Sequence, residues 1–276
     1  MGEEKLAGYI VDCENPQVNR FADEYIRLLK QYYCVGGMPE AVARFVEYRD
    51  YAQVREIQLS IINQYEGDFG KHINPNELPR IRMVWHSLPM QLAKENKKFF
   101  FGQVKKGARM RDFEAAIQWL VDAGLIYKVN KVTKPAVPLK SYVDMTAFKL
   151  FLIDTGLMCA MSELDIESVI IGNDLFTEFK GGLTEQYVLQ ELIVGQRYHP
   201  YYFSGEKSTY ETDLLIQKGK SIVPIEIKSE ENLRSKSLKV FCDKYKPADA
   251  IRFSLAGYRK QDWMRNVPLW AVEGYK

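Results

Sequence analysis

Two acids near the carboxyl-terminal end of the chain have a spacing that could hold a metal ion. Between residues 209 and 228, two runs of alternating apolar residues flank Gly219-Lys220, which predicts a β-hairpin with a two-residue turn. In that register Asp213 lies opposite Glu226, with Cβ atoms about 4.5–5.5 Å apart. Opposed carboxylates repel each other, and a divalent cation such as Mg²⁺ would offset the repulsion. Lys228 follows on the same face, so the hairpin predicts a cation site beside an ammonium group.

A third acid, Glu185, heads a predicted helix over residues 184–194. The apolar stripe of that helix is formed by Val188, Leu189 and Leu192, and Glu185 lies on the same face. An acid on this apolar stripe is costly to bury unless it has a partner, which the cation site would be if Glu185 converges on the hairpin acids. Taken alone, Glu185 also fits the favourable position of an acid in the first turn of a helix.

The elements before this site are mostly helical. Residues 21–49 have a helical pattern broken at Val35-Gly36-Gly37-Met38-Pro39-Glu40, and residues 74–79 form a predicted loop and domain boundary. The further predicted elements are helices over 51–65, 80–95 and 111–123, and strands over 125–129 and 148–153. Helices followed by a two-stranded ribbon are typical of a winged helix-turn-helix, which can place a helix in the major groove of DNA.

Basic residues cluster in two regions that could contact phosphates. One lies in residues 94–111, where seven Lys or Arg stand against one acid, and continues with four lysines on the predicted ribbon at 128–140. The other lies in residues 228–260, where nine Lys or Arg stand against four Asp or Glu. Such clusters are typical of nucleic-acid binding, although a solvated basic face on a protein-binding domain has the same composition. The predicted nucleic-acid contacts are Lys105, Lys106, Arg109, Arg111, Lys131, Arg234, Lys236 and Lys239.

Composition excludes several other classes. The net charge is +2, with 46% hydrophobic and 27% charged residues, which is ordinary for a globular protein. The four cysteines form no CxxC pair and the three histidines are scattered, so no structural zinc site is predicted. The chain has no GxxxxGK[ST] phosphate loop, so it should not bind ATP through one. No apolar run approaches about 20 residues and no signal-peptide region is found, which predicts a cytoplasmic protein without membrane contact.

The helix acid Glu185, the strand acid Asp213 and Glu226-Ile227-Lys228 together resemble the PD-(D/E)xK nuclease superfamily. In that superfamily the acids hold one or two Mg²⁺ ions, and the lysine orients the attacking water or stabilises charge on the phosphate. The resemblance therefore implies that Glu185, Asp213 and Glu226 are metal ligands and that Lys228 is catalytic with them.

A longer resemblance covers nearly the whole chain and points to the C-terminal half of prokaryotic AAA-type ATPases that carry a DUF4143 domain. Its segments are Gly36–Glu40, Asp122–Ile126, Pro138–Tyr142, Phe148–Leu157 and Pro224–Ser229. It implies a fragment with α+β or α/β architecture, preceded in full-length members by the domain that binds ATP. Residues 1–78 would be a helical lid or linker, 79–161 a winged helix-turn-helix, and 162–276 a restriction-endonuclease-like domain with a mixed sheet.

Three functions stay open at this point. The chain could hydrolyse nucleic acid with Mg²⁺, with DNA favoured as substrate, or it could bind nucleic acid without cutting. It could instead be a regulatory or assembly module that contacts the missing ATPase domain. The oligomeric state is left open by the sequence.

Overall fold

The structure, a computed structural model, describes residues 3–94, 97–171, 174–194, 197–205, 209–230 and 235–275. Within them the chain forms twelve α-helices and eight β-strands. The helices are α1 (Glu3–Ile10), α2 (Pro16–Arg20), α3 (Ala22–Val35), α4 (Pro39–Tyr48), α5 (Tyr51–His72), α6 (Leu78–Leu92), α7 (Phe101–Val104), α8 (Met110–Asp122), α9 (Thr155–Met161), α10 (Ile166–Ile171), α11 (Asp174–Ile193) and α12 (Lys236–Tyr245). The strands are β1 (Ile126–Val132), β2 (Val143–Leu152), β3 (Tyr201–Ser204), β4 (Glu211–Lys218), β5 (Ser221–Ile227), β6 (Ile251–Ser254), β7 (Arg259–Lys260) and β8 (Arg265–Pro268). Each helix of these ranges is too short or too polar to cross a lipid bilayer.

The chain divides into two compact units that alternate along the sequence. The sheet unit comprises Met1–Leu29, Val129–Met145 and Tyr187–Lys276, and the helical unit comprises Lys30–Lys128 and Thr146–Gln186. The elements α3, α11, β1 and β2 have residues in both. The division of the chain at residues 78 and 161 stays a prediction.

The eight strands form one mixed sheet in the order β2-β1-β3-β4-β5-β6-β8-β7. Strand β4 pairs antiparallel with β3 and β5, whereas β6 lies parallel to both β5 and β8. Leu214, Ile216, Val223 and Ile225 are buried on one face of the β4–β5 hairpin, as the alternating pattern predicts. Leu215, on the other face, is also fully buried, because it belongs to the core cluster that contains residues of α12.

The helical unit has its core between α6 and α8. Both helices bury the stripes expected from their periodicity, including Val84 and Leu88 on α6 and Phe113 and Leu120 on α8. The order α6, α8, β1, β2 is the predicted order of helices and strands, and the short helix α7 lies between α6 and α8. Element bounds differ more: α5 continues to His72, seven residues beyond the predicted end, and β2 begins at Val143, five residues before the predicted start.

Two segments with glycines interlock inside the helical unit. The Gly37 N–H donates to Asp154 Oδ2 (2.7 Å), while the Leu157 N–H at the start of α9 donates to Asp154 Oδ1 (2.8 Å). Gly36 has φ +70°, and a Cβ there would lie within 2.3 Å of Asp154 Oδ1, so no other residue fits without displacement. Burial raises the pKa of Asp154, and the backbone N–H donors oppose that rise.

Candidate functional site

The β4–β5 hairpin has the two-residue turn that the sequence predicts. Lys218 pairs with Ser221 across Gly219-Lys220, and the pairing continues to Leu214 and Ile225. Continued by one position, this register sets Asp213 opposite Glu226. Asp213 Oδ2 accepts a 2.7 Å hydrogen bond from the Ile227 N–H, which ties the Asp213 carboxylate to the strand that carries Glu226.

Glu226 is nearly buried, with 9% of its side chain exposed. Its Oε1 lies 3.0 Å from Lys228 Nζ, and the Lys228 side chain is 38% exposed. Glu226 Oε2 is buried and has no hydrogen-bond partner within the described ranges. A buried carboxylate oxygen without a donor is costly, so Oε2 is the atom of this pair most in need of a cation or a donor.

Arg252 on β6 is a site residue that the sequence analysis missed. The parallel register of β5 and β6 sets Arg252 beside Glu226, and the β6–β8 register sets Asn266 beside Arg252. Burial lowers the pKa of the Arg252 guanidinium, and Arg259 lowers it further, while Glu226 opposes the fall. We call Asp213, Glu226, Arg252 and Asn266 the polar row, because they occupy neighbouring positions on four adjacent strands.

Side chains of two other residues hold Arg252. Its Nε donates to Asn266 Oδ1 (2.8 Å), and its Nη1 donates to Ser235 Oγ (3.1 Å). Asn266 is itself anchored, since its Nδ2 donates to two backbone carbonyls and its Oδ1 also accepts from Ser254 Oγ (2.7 Å). The guanidinium therefore has a defined position next to Glu226. The only sequence signal was an arginine in the short apolar strand Ile251–Ser254.

Helix α12 lies over the sheet near the polar row, and its capping residue Ser235 accepts from Arg252. Of its predicted phosphate contacts, Lys236 is exposed. Lys239 pairs with Asp243 (2.8 Å) and lies over the Trp263 ring at 5.1 Å, so it is held by neighbours on its own surface. Arg234 lies outside the described residues.

Glu185 has a different environment, in the helical unit. Its Oε1 lies 3.0 Å from Lys149 Nζ and its Oε2 lies 2.5 Å from Lys97 Nζ. The side chains of Glu185 and Lys149 are each 2% exposed. Desolvation raises the pKa of Glu185, but Lys149 and Lys97 more than offset it, so that the pKa is lowered. We call these three residues the lysine-paired glutamate cluster.

The other predicted nucleic-acid contacts lie on or next to α8 and on β1. Lys105, Lys106, Arg109 and Arg111 are exposed, between the end of α7 and the first turn of α8. Lys131 is half-buried on β1, paired in register with Tyr202 of β3. The four exposed residues leave a basic surface on the helical unit that a phosphate could reach.

Asp213 and Glu226 are better placed than Glu185 to bind a cation. Asp213 and Glu226 are neighbours by register, and one or two carboxylates with water are the usual protein ligands of Mg²⁺. Glu185 does not fit in this arrangement, because a lysine ammonium group lies at each of its oxygens and the two positive charges would repel a cation. Over the residues that the structure describes, no group of three or more His, Cys, Asp or Glu side chains could hold a metal ion. Asp213 and Glu226 are therefore candidate ligands of a two-carboxylate site.

Two protein-family models match the chain. One is described as Domain of unknown function (DUF8612) and matches residues 26–168. The other is described as Domain of unknown function (DUF4143) and matches residues 180–272, which confirms the DUF4143 resemblance over that range and includes the whole polar row. Neither a curated protein nor a solved structure matches the chain.

Proposed function

We propose that this chain, which belongs to the DUF8612 family and carries a DUF4143 domain at residues 180–272, is a nuclease-like protein that binds nucleic acid at its polar row. The observation that carries the proposal is the hairpin pair Asp213 and Glu226 with Lys228 Nζ 3.0 Å from Glu226 Oε1. Two carboxylates and an ammonium group are the side chains that metal-assisted phosphodiester hydrolysis uses.

Each residue of the site has a role in this proposal. Asp213 and Glu226 would hold one Mg²⁺ ion, which when bound supplies charge neutralisation and Lewis acidity toward a phosphate. Glu226 offers its unpartnered Oε2, while Lys228 holds Oε1. Because Lys228 keeps 38% of its side chain exposed, it is also the group that can donate to a phosphate oxygen. Arg252 lies beside Glu226 in register, and its positive charge lowers the repulsion between the two acids.

The rest of the chain would contact the nucleic-acid backbone and a partner ATPase domain. We assign residues 79–161 to a winged helix-turn-helix in which the exposed basic residues around the start of α8 contact phosphates. The resemblance to AAA-type ATPases supports a partner ATPase domain, which would bind the nucleotide. DNA is the favoured nucleic acid.

Binding without hydrolysis is the second candidate, and the lysine-paired glutamate cluster favours it. In a three-carboxylate site Glu185 would contribute one of the ligands, yet its two oxygens are taken by Lys97 and Lys149. A site left with two acids binds Mg²⁺ more weakly, so a phosphate could be bound while its hydrolysis stays slow.

The test is a nicking assay on supercoiled plasmid and on single-stranded DNA with Mg²⁺ or Mn²⁺. We expect Asp213→Asn and Glu226→Gln each to lower nicking at least about tenfold, since each removes a charged ligand. Glu230→Gln is the matched control, because Glu230 is an exposed acid just beyond Lys228, and it should nick at the wild-type rate. Nicking that survives in both site variants would assign the activity to another site or a contaminant.

A binding assay separates the remaining outcomes. For nucleic-acid binding, affinity should fall steeply as salt rises, because bound cations are released from the phosphate backbone. Salt-dependent binding without nicking would select the non-cutting function. Binding that does not occur, or that ignores salt, would overturn both and leave a protein-binding module of the ATPase, to be tested by pull-down with that domain.

A further inference from the structure

Two cysteines of the helical unit lie where the end of α3 meets the start of α9. A Cβ on Gly156 would lie 2.6 Å from the Val35 carbonyl oxygen and 2.7 Å from the Gly36 nitrogen, so the two backbones touch. Cys34 directly precedes Val35, and Cys159 lies one helical turn after Gly156 on α9. The close approach of the backbones places the two cysteines next to each other.

The two thiols are in contact and differ in character. They hydrogen-bond to each other, and both side chains are fully buried. The hydrogen bond to Cys159 and burial raise the pKa of Cys34, whereas the hydrogen bond from Cys34, aided by the charge of Arg55, lowers the pKa of Cys159. Arg55, which contacts Cys159 Sγ, makes Cys159 the thiol of the pair that is favoured to lose its proton.

Arg55 on α5 is placed to hold Cys159 as the thiolate. Its Nη2 lies 3.5 Å from Cys159 Sγ, while Nη1 donates to the Cys159 carbonyl (3.0 Å) and Nη2 to the Leu164 carbonyl (3.0 Å). Arg55 also lines a cavity of about 630 Å³ with Ala160 and Leu164. A small neutral molecule that enters this cavity reaches the arginine that contacts the sulfur.

We propose that Cys34 and Cys159 form a redox-active dithiol that hydrogen peroxide oxidises to a disulfide. The Cys159 thiolate attacks one peroxide oxygen, so an S–O bond forms, the O–O bond breaks, and the leaving hydroxide takes a proton to become water. Cys34 then attacks the sulfenic sulfur, the S–S bond forms, the S–O bond breaks, and hydroxide leaves with the Cys34 proton as a second water. Overall one peroxide is reduced and two thiols are oxidised.

The disulfide would tie α3 to α9 next to the Gly36–Asp154 interlock. A bond between positions 34 and 159 closes a long loop, and such bonds stabilise chiefly by restricting the unfolded chain. We expect the oxidised protein to unfold about 5–10 °C above the reduced protein. This proposal does not depend on the function proposed for the polar row.

The test is peroxide treatment of the full folded chain, followed by quenching, denaturation, alkylation and peptide mass spectrometry. We expect a cross-linked peptide pair containing Cys34 and Cys159, lighter by two hydrogens, and a raised thermal midpoint that a reducing agent reverses. Cys13 and Cys242 are the internal controls: both are buried in the sheet unit, and burial raises the pKa of each thiol, that of Cys242 to about 11. They should remain fully alkylated.

Two variants test the roles of Cys34 and Arg55 separately, so that one test remains if the other variant folds poorly. In Cys34→Ser the resolving thiol is gone, so a dione probe should trap sulfenic acid at Cys159. In Arg55→Met the oxidation rate at neutral pH should fall about tenfold, and its pH profile should move to higher pH, which a loss of packing alone would not cause. Equal oxidation of all four cysteines would overturn the proposal. So would a Cys34–Cys159 cross-link that forms in protein unfolded in urea but does not form in the folded protein.

Discussion

Two glutamates, Glu185 in the helical unit and Glu226 in the sheet unit, are both buried and both paired with lysine, yet they differ in what they leave open. Glu185 has both oxygens bound to lysines, and its partner Lys149 is as buried as it is. Glu226 has one oxygen bound to a partly exposed lysine and one that lacks a hydrogen-bond partner in the described part of the chain. The first arrangement is complete without a ligand, whereas the second can still accept one.

The comparison shows that a residue type and its spacing do not determine a role. The nuclease resemblance implies that Glu185 is a ligand. Its position on an apolar stripe means only that the buried acid needs a partner, and Lys149 and Lys97 meet that need. Two lysines neutralise a buried carboxylate as a metal would, and their positive charges then repel a metal ion. The polar row keeps a buried carboxylate oxygen available, so the proposed chemistry is centred there.

The largest expected effect is a difference in the free energy of unfolding between variants of the two glutamates. Glu185→Gln removes the buried carboxylate that pairs with Lys149 and Lys97, and breaking a buried pair in this way costs about 3–5 kcal/mol. Glu226→Gln should cost about 1–2 kcal/mol, because Lys228 can turn to water and the amide keeps an acceptor oxygen. Urea unfolding of both variants measures the difference. Equal losses of unfolding free energy would mean that Glu185 and Glu226 contribute equally to stability and would contradict the comparison.

A second prediction concerns how the stability contributed by Glu185 changes at low pH. The folded-state pKa of Glu185 is lowered from the usual 4.5, so its contribution to stability is present above pH 4.5 and is lost as pH falls through the folded value. The free-energy gap between wild type and Glu185→Gln should therefore shrink as pH falls from 6 toward 3. Asp154 is common to both proteins, so its own raised pKa cancels in the difference. A constant gap across that range would contradict the assignment.

The third prediction concerns the affinity of the two glutamates for Mg²⁺. Calorimetric titration with Mg²⁺ should show about tenfold or greater loss of affinity in Glu226→Gln and in Asp213→Asn, since each removes a proposed ligand. Glu185→Gln, measured below its unfolding temperature, should bind within about twofold of wild type. Loss of Mg²⁺ affinity in Glu185→Gln alone would exchange the roles that we assign to the two glutamates.

The hairpin was predictable because its rules are local. A two-residue turn sets the register of Lys218 with Ser221, and the apolar alternation sets which face is buried, so the positions of Asp213 and Glu226 follow from the sequence. Arg252 and Asn266 were not predictable, because β6 and β8 join the sheet in parallel through connections whose register no turn determines. The pairing of Lys97 and Lys149 with Glu185 likewise joins residues far apart in sequence.

The predicted contacts of α12 allow the smallest and most specific test. Lys236 is exposed, whereas Lys239 is held by Asp243 and by the Trp263 ring. For a helix that lies against nucleic acid, Lys236→Ala should reduce the slope of log affinity against log salt by about 1, the value for one lost phosphate contact.

Lys239→Ala is the matched control on the same helix, and its slope should change by less than half as much, because Asp243 already neutralises that ammonium group. Filter binding at a series of salt concentrations measures both slopes. Equal changes would mean that Lys239 leaves Asp243 on binding. If neither slope changed, α12 would not contact the phosphates, and the basic residues near the start of α8 would be left as the surface that binds them.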